Sequence, residues 1–331
     1  MRAAILKKPQ KIKNHPLQII EKEIPRPGTR EVLIKVAACG VCHTDLHTVE
    51  GDLELPKLPV IPGHQIAGTV EETGESVTSL NFDDRVGVTW FHDSCGQCEY
   101  CQQGKENLCT EAEFTGLDVN GGYAEYVTAP AEYVFKLPDG FTFLNAAPLL
   151  CAGIIGYRSL RLSEIKPGQN LGLYGFGSSA HVCIQLARYR DCDVYVFTRS
   201  EEHRRHAKEL GAKWVGGAED TPPEKMDASI IFAPAGWIVP EALRVLKRDG
   251  TVAINAIHMS PIPEMSYDLI YYERTLRSVT NLTARDGKEF LQLAAEIPVE
   301  TDIEVYSLDE VNGVLCRVKQ SDINGSAVLK V

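Results

Sequence analysis

Four cysteines in the segment CGQCEYCQQGKENLC, at Cys95, Cys98, Cys101 and Cys109, constrain this chain more than any other feature. Spacings of two, two and seven residues let four thiolates converge on one ion at about 2.3 Å in a tetrahedral shell. Such a shell is closed to water and substrate, so the ion inside it is structural. Gly96, Gly104 and Asn107 supply the tight turns that a lobe of this kind needs, and Lys105 is placed to offset the dianion of four thiolates around zinc. The alternative is a loop of four reduced surface thiols. The chain has ten cysteines in 331 residues, a length at which disulfide stapling is unnecessary, and the other six include Cys42 and Cys151, which stand apart in sequence.

That length predicts about two domains. Hydrophobic residues at 44 % and charged residues at 24 % describe a folded globular chain rather than a disordered one. The net charge of -11 repels phosphate backbones and anionic lipid, which argues against nucleic-acid and membrane partners. No apolar run approaches the roughly 20 residues that a bilayer requires. Residues 1–13 lack a signal-type apolar core and cleavage site, so a cytoplasmic location is expected.

Residues 31–38, 65–74, 85–90 and 123–130 read as short strands broken by Gly and Pro, the texture of a mostly β, barrel-like domain. From about residue 150 the pattern changes. Strand candidates at 170–174, 193–198, 228–232 and 251–255 alternate with helical stretches at 179–189, 201–210 and 240–246. This βαβα rhythm predicts a doubly wound parallel sheet, completed by a strand at 276–279 and a helix at 287–296. The tail, 299–331, is again rich in β-type residues and is expected to return to the first domain. The predicted boundaries are 1–152, 153–285 and 286–331. No internal repeat is visible.

A second constellation is scattered: Cys42 in GVCHTDLH, His64 in PGHQ and Cys151 in APLLCAG. Two thiolates and one imidazole leave a fourth zinc position open to water or a substrate oxygen, and an open position implies chemistry. Singly, each of these residues is bland: a buried thiol or a turn histidine.

In this order, and over essentially the whole chain, GVCHTDLH, PGHQ, the four-cysteine lobe and the later Gly-Phe-Gly turn resemble the zinc-dependent alcohol dehydrogenases of the medium-chain dehydrogenase/reductase superfamily. The resemblance implies an α/β protein in which a GroES-like β-rich catalytic domain is joined to a Rossmann cofactor domain. It implies two zinc ions per chain, a catalytic one on Cys42, His64 and Cys151 and a structural one on Cys95, Cys98, Cys101 and Cys109. Asp45 matches the carboxylate that orients the zinc-bound histidine and raises its basicity. Thr44 and His47 match a relay that carries the alcohol proton by way of the nicotinamide ribose to solvent. His43 resembles a basic residue that contacts the cofactor pyrophosphate in some members.

The Rossmann turn is Gly175-Phe176-Gly177-Ser178-Ser179-Ala180, between a strand and a helix. Its glycines permit a tight turn and a close approach of backbone to pyrophosphate, and the helix N-terminus offers unpaired N–H groups. The second strand then ends in Thr198-Arg199-Ser200, with no carboxylate where a ribose 2′-OH is usually bound. An arginine there pairs with phosphate or stacks on adenine, so NADP is favoured over NAD. The competing possibility is that Arg199 is solvated and that Glu201 or Glu202 binds the ribose of NAD.

Three departures from the family frame stand out. Gln65 follows His64 where the frame reads Gly-His-Glu, which removes a negative charge beside the metal. Ser178 and Ala180 replace common glycines, and Ser326 stands where many relatives carry a basic residue. Trp90 and Phe91 resemble the aromatic wall beside catalytic zinc, with core packing as the alternative. Primary alcohols and their aldehydes are the expected substrates. The rivals are a polyol or amino-alcohol dehydrogenase and a catalytically silent nucleotide-binding zinc protein. A homo-oligomer, tetramer or dimer, is implied by the family.

Overall fold

The computed structural model describes residues 1–297 and 299–331. The chain divides into two compact units. The first contains Met1–Cys151, Asn281–Glu296 and Glu300–Val331, and the second contains Ala152–Thr280 with Ile297 and Val299.

The first unit is built on strand Glu31–Val41, eleven residues long and buried along most of its length. Its apolar residues Val32, Ile34 and Val36 recur every second position and line one face, as a pleated strand requires. It pairs antiparallel with Gln65–Thr73, Tyr126–Pro130 and Ser326–Lys330, inside a sheet of seven strands among the described residues. Register shifts near Leu33 and Val36 bend it, so that one strand serves three partners. The core gathers these residues with Ile66, Val86, Tyr123 and Leu329. Each fully buried aliphatic side chain there contributes about 1.5–3 kcal/mol.

The C-terminal segment pairs with this sheet through Ser326–Lys330, and within it Val311–Gln320 is a helix. Val311, Val314, Leu315 and Val318 are its buried residues, a 3.6-residue period within a β-rich composition.

In the second unit, six parallel strands among the described residues lie in the order Trp214–Gly216, Asp193–Phe197, Asn170–Tyr174, Met226–Ile231, Leu246–Ile254 and Thr275–Ser278. Numbered along the chain this is 3-2-1-4-5-6, the Rossmann order. Asn170–Tyr174 is buried at every position, which accounts for the run without charge from Leu171 to Tyr174, while the Asn170 amide donates to Glu224 and to the Lys225 carbonyl. Tyr174 stacks on Phe197 of the neighbouring strand with ring centroids 4.2 Å apart.

One element was not legible as a helix. Phe143–Leu162 runs as α-helix, then a wide π turn over Leu149–Gly153, then α-helix again. Pro148, which has no N–H to donate, immediately precedes the wide turn. The stretch is long and apolar enough to span a membrane by length and composition, contrary to the expectation from the sequence, yet 72 % of its apolar window is buried inside the protein.

Candidate metal centres and dinucleotide turn

Cys42 directly follows the central strand and caps the helix His43–Glu50. Its N–H donates to Asp45 Oδ2 at 2.9 Å, and its Sγ accepts from Thr44 N at 3.4 Å. The carboxylate of Asp45 therefore completes a capping box at the positive end of a helix. Its other oxygen, Oδ1, lies 2.9 Å from Nδ1 of His64. Both groups are sealed from solvent, at 1 % and 0 % exposure. A carboxylate on Nδ1 fixes the proton there and leaves the Nε2 lone pair for another partner. That atom lies 3.6 Å from Cys42 Sγ, and Cys151, on the wide turn, completes a trio whose ligand atoms all lie within 4.8 Å of one another.

The four-cysteine lobe is equally convergent. Cys98 and Cys101 sulfurs are 3.5 Å apart, Cys95 and Cys109 3.5 Å, and Cys95 and Cys101 4.0 Å. Zinc with sulfur at about 2.3 Å and nitrogen at about 2.0–2.1 Å imposes separations of about 3.8 Å between sulfurs and about 3.5 Å between sulfur and nitrogen. Both donor sets fit zinc on geometry and on chemistry. Gly96 and Gly104 turn the lobe with φ of 70° and 66°. The Lys105 ammonium donates to Gln103 Oε1 at 3.0 Å.

Electrostatics divide the thiols. Hydrogen bonds from the backbone N–H groups of Gln97 and Cys98 pull Cys95 down to about 7, while burial pushes Cys101 up to about 11. In the other trio, Cys42 is drawn well below its ordinary value, first by the Cys151 thiol and then, against burial, by His64. Burial opposes charge on His64, but Asp45 and the Cys42 sulfur outweigh it and raise the imidazole to about 10. Metal must displace that proton, so loading of this site weakens as pH falls.

Gly63 places His64. Its φ is 95°, and a Cβ there would stand 2.4 Å from the Tyr123 ring. Trp90 meets the His64 ring edge-on at 5.1 Å and stacks on Phe114 at 5.2 Å. Phe91, one residue on, points into the core against Tyr133. Of the two aromatics, Trp90 alone borders the trio. Gln65 is 3 % exposed, lies over Gly40 in register, and has no hydrogen-bond partner for its Nε2.

Thr44 and His47 stand three residues apart on the same helix, hence on one face. His47 Nδ1 lies 2.9 Å from Asp52 Oδ2, and Asp52 reaches solvent. His43 is exposed at the first turn. Asp52 was not singled out from sequence; its signal is an acid five residues past His47.

In the second unit, Gly175 follows the first strand with φ of 87°, and a Cβ there would lie 3.1 Å from Ala233 N. The helix Ser178–Tyr189 begins with Gly177 as its cap, no side-chain cap bond, and no acid in its first turn, so its N-terminus is open to an anion. Phe176 and Ala180 are buried. At the end of the second strand the Thr198 carbonyl accepts from Arg204 Nε at 2.9 Å, and Ser200 Oγ caps the next helix by accepting from His203 N at 3.3 Å. Arg199 is exposed. Glu201 is held by Arg204 at 2.7 Å. Ser326 is buried at the start of its strand.

A Rossmann sheet and a β-domain that gathers one closed and one open zinc-type donor set, in a single chain, define a zinc-binding, dinucleotide-type oxidoreductase. Residues 28–139 match the alcohol dehydrogenase GroES-like domain, and residues 180–296 match the zinc-binding dehydrogenase domain. The chain belongs to the zinc-binding alcohol dehydrogenase family of the medium-chain superfamily. It is 43 % identical over 337 positions to the probable alcohol dehydrogenase AdhA of Mycobacterium tuberculosis (strain CDC 1551 / Oshkosh), covering 100 % of this chain and 97 % of that one. An alcohol dehydrogenase of Geobacillus stearothermophilus is 38 % identical over 340 positions, covering 100 % of both. The cinnamyl alcohol dehydrogenase structure from Sorghum bicolor superposes with a TM-score of 0.90 at 28 % identity, covering 99 % of this chain and 97 % of that one.

Proposed function

We propose that this protein interconverts primary alcohols and their aldehydes by hydride transfer to and from a nicotinamide dinucleotide, with NADP preferred. The observation that carries the reading is the trio Cys42, His64 and Cys151, whose donor atoms lie within 4.8 Å of one another with Asp45 locked on the back of the imidazole. Zinc held there supplies Lewis acidity to a substrate oxygen and lowers its pKa. Cys42 and Cys151 serve as thiolates, and Asp45 keeps His64 in the tautomer that offers Nε2. Thr44 takes the alcohol proton, and His47 delivers it to solvent beside Asp52. Trp90 presents an apolar wall, which favours hydrocarbon substrates over polyols. Gln65, in place of a carboxylate, leaves the metal a stronger Lewis acid and slower to exchange ligands. If Gln65→Glu changes neither kcat nor zinc retention, the position has no mechanistic weight.

Zinc analysis with a substrate panel tests the reading. Two ions per chain, and turnover abolished by chelation, are expected. One ion without turnover on any alcohol or aldehyde sinks it in favour of a silent nucleotide binder.

The cofactor preference is supported by the exposed Arg199 and by the engagement of Glu201 with Arg204, which takes that acid away from a ribose. Arg199→Ala is expected to cost roughly ten- to a hundredfold in kcat/KM with NADPH, the worth of one charged hydrogen bond, and little with NADH. A wild-type preference of about tenfold or more for NADH rejects NADP. For the relay, His47→Gln makes proton release depend on hydroxide, so the rate should fall most steeply toward acid pH. An unchanged pH–rate profile removes His47 from the pathway.

A dimer or tetramer is supported by strand Thr275–Ser278, which ends the parallel sheet with one edge unpaired among the described residues. Trp237, Tyr267 and Tyr271 are exposed on the same unit. Sedimentation of the purified chain decides it.

A further inference from the structure

Glu106 belongs to the four-cysteine lobe, yet its carboxylate is buried, at 9 % exposure. Its carbonyl accepts from the N–H of the ligand Cys109 at 2.9 Å. Its Oε1 accepts from the N–H of Ala284 at 2.6 Å. Ala284 is the first residue of the helix Ala284–Glu296, 178 residues further along the chain. A helix start leaves four N–H groups without intrahelical partners, and a carboxylate there also meets the positive end of the helix dipole. Local capping is already supplied by Thr283 and Asp286. Thr283 N and Oγ1 donate to Asp286 Oδ2 at 3.0 and 2.7 Å, and Asp286 N donates back to Thr283 Oγ1 at 3.2 Å. What Glu106 adds is a tie between the lobe and this helix.

The helix in turn leads toward the other metal centre. Gly287 lies against the Phe135 ring, so closely that a Cβ would be 2.6 Å from it. Phe135 pairs in register with Gly87. The missing side chain of Gly87 is replaced by Leu150, whose Cδ2 lies 2.4 Å from where a Cβ would be. Register partners present their side chains on one face of a sheet, so Phe135 and Leu150 share that face. Leu150 is the residue before Cys151.

We propose that Glu106 is a positioning residue for the catalytic centre. It anchors the helix Ala284–Glu296 to the four-cysteine lobe and, through Gly287, Phe135 and Leu150, fixes the wide turn that carries Cys151. The role assigned to Cys151 rests on the reading under Proposed function; the packing path does not.

The test compares the full-length purified protein as wild type, Glu106→Ala and Glu106→Gln. It uses hydrogen–deuterium exchange in peptides covering residues 283–287 and 149–153, together with the rate at which 1,10-phenanthroline strips the more labile zinc. In Glu106→Ala, exchange at 283–287 is expected to rise about tenfold, as for loss of a hydrogen bond to a charged group. Exchange at 149–153 and zinc release are expected to rise about three- to tenfold, the scale of coupling through packed neighbours. Glu106→Gln keeps an oxygen acceptor and should fall between. Faster exchange at 283–287 with no change at 149–153 overturns the proposal and leaves Glu106 a helix cap alone. Should the alanine form fail to fold, Phe135→Leu breaks the path downstream. It should speed exchange at 149–153 while sparing 283–287, and the absence of that split overturns the proposal equally. A wild-type chain that holds no zinc sinks the functional reading, and the exchange data alone then decide the role of Glu106.

Discussion

Replacing Cys151 by serine is expected to abolish measurable alcohol turnover and to lower the zinc content from two ions per chain to one. Serine is close to isosteric, so the wide turn Leu149–Gly153 keeps its packing, but a hydroxyl does not ionise at neutral pH and is a poor zinc ligand. Two donors, Cys42 and His64, then remain where an open catalytic site needs three. The four-cysteine set is a built-in control, because its sulfurs lie elsewhere in the sequence and the zinc proposed for them should be retained. Asp45→Asn is the graded companion. It keeps the shape of the side chain while weakening the hold on His64 Nδ1, and losses of about 10- to 100-fold in zinc affinity are typical of such partners. Elemental analysis of both variants beside steady-state rates checks the prediction. Full zinc content and wild-type rates in the serine variant would remove Cys151 from the site.

Gly63→Ala is expected to be the most damaging single methyl addition near the site. The left-handed backbone alone costs an L-residue about 1–2 kcal/mol. Here the new Cβ would also collide with the Tyr123 ring at 2.4 Å and with the Tyr123 backbone nitrogen at 2.9 Å. Overpacking of this kind adds about 1–3 kcal/mol. A loss of about 2–5 kcal/mol is therefore expected, with His64 displaced and zinc retention reduced. Gly96→Ala separates the two causes, since Gly96 has φ of 70° but nothing within 4 Å of the added carbon. It should cost only the backbone share. Urea midpoints of the two variants, which ought to differ by a clear margin, are the measurement; equal midpoints would show that Tyr123 yields without cost.

How much of this was legible in the sequence depended on how far apart the cooperating residues lie. The four-cysteine lobe could be read outright, because its ligands are near neighbours and few other residue patterns serve the same chemistry. The Gly175 turn was nearly as plain, since strand, glycines and helix follow one another directly. The trio of Cys42, His64 and Cys151 could be assembled from three scattered local frames, each bland by itself, and the resemblance gave it weight. Its convergence depends on Gly40 pairing with Gln65, and strand register is not written in any one segment. The helix around Cys151 was missed because a short apolar run fits a buried strand or a buried helix equally well, and Pro148 reads as a breaker. Trp90 and Phe91 could not be told apart by composition, yet alternation along the chain sends one to the His64 ring and the other to the core. Glu106 looked like an ordinary loop charge, and only a partner at Ala284 gives it meaning.

On the proposed reading with two zinc ions, the contrast between the two donor sets bears on the order in which they fill during synthesis. Residues 95–109 form a short span of helical turns that can seize an ion as soon as that stretch has left the ribosome, because closing so short a loop costs little entropy. The other trio draws on positions from 42 to 151 and gains affinity only after the sheet has closed around it. If the proposed zinc assignments hold, metal scarcity during growth should leave a population of half-charged molecules, folded and stable, whose later-forming site is still empty.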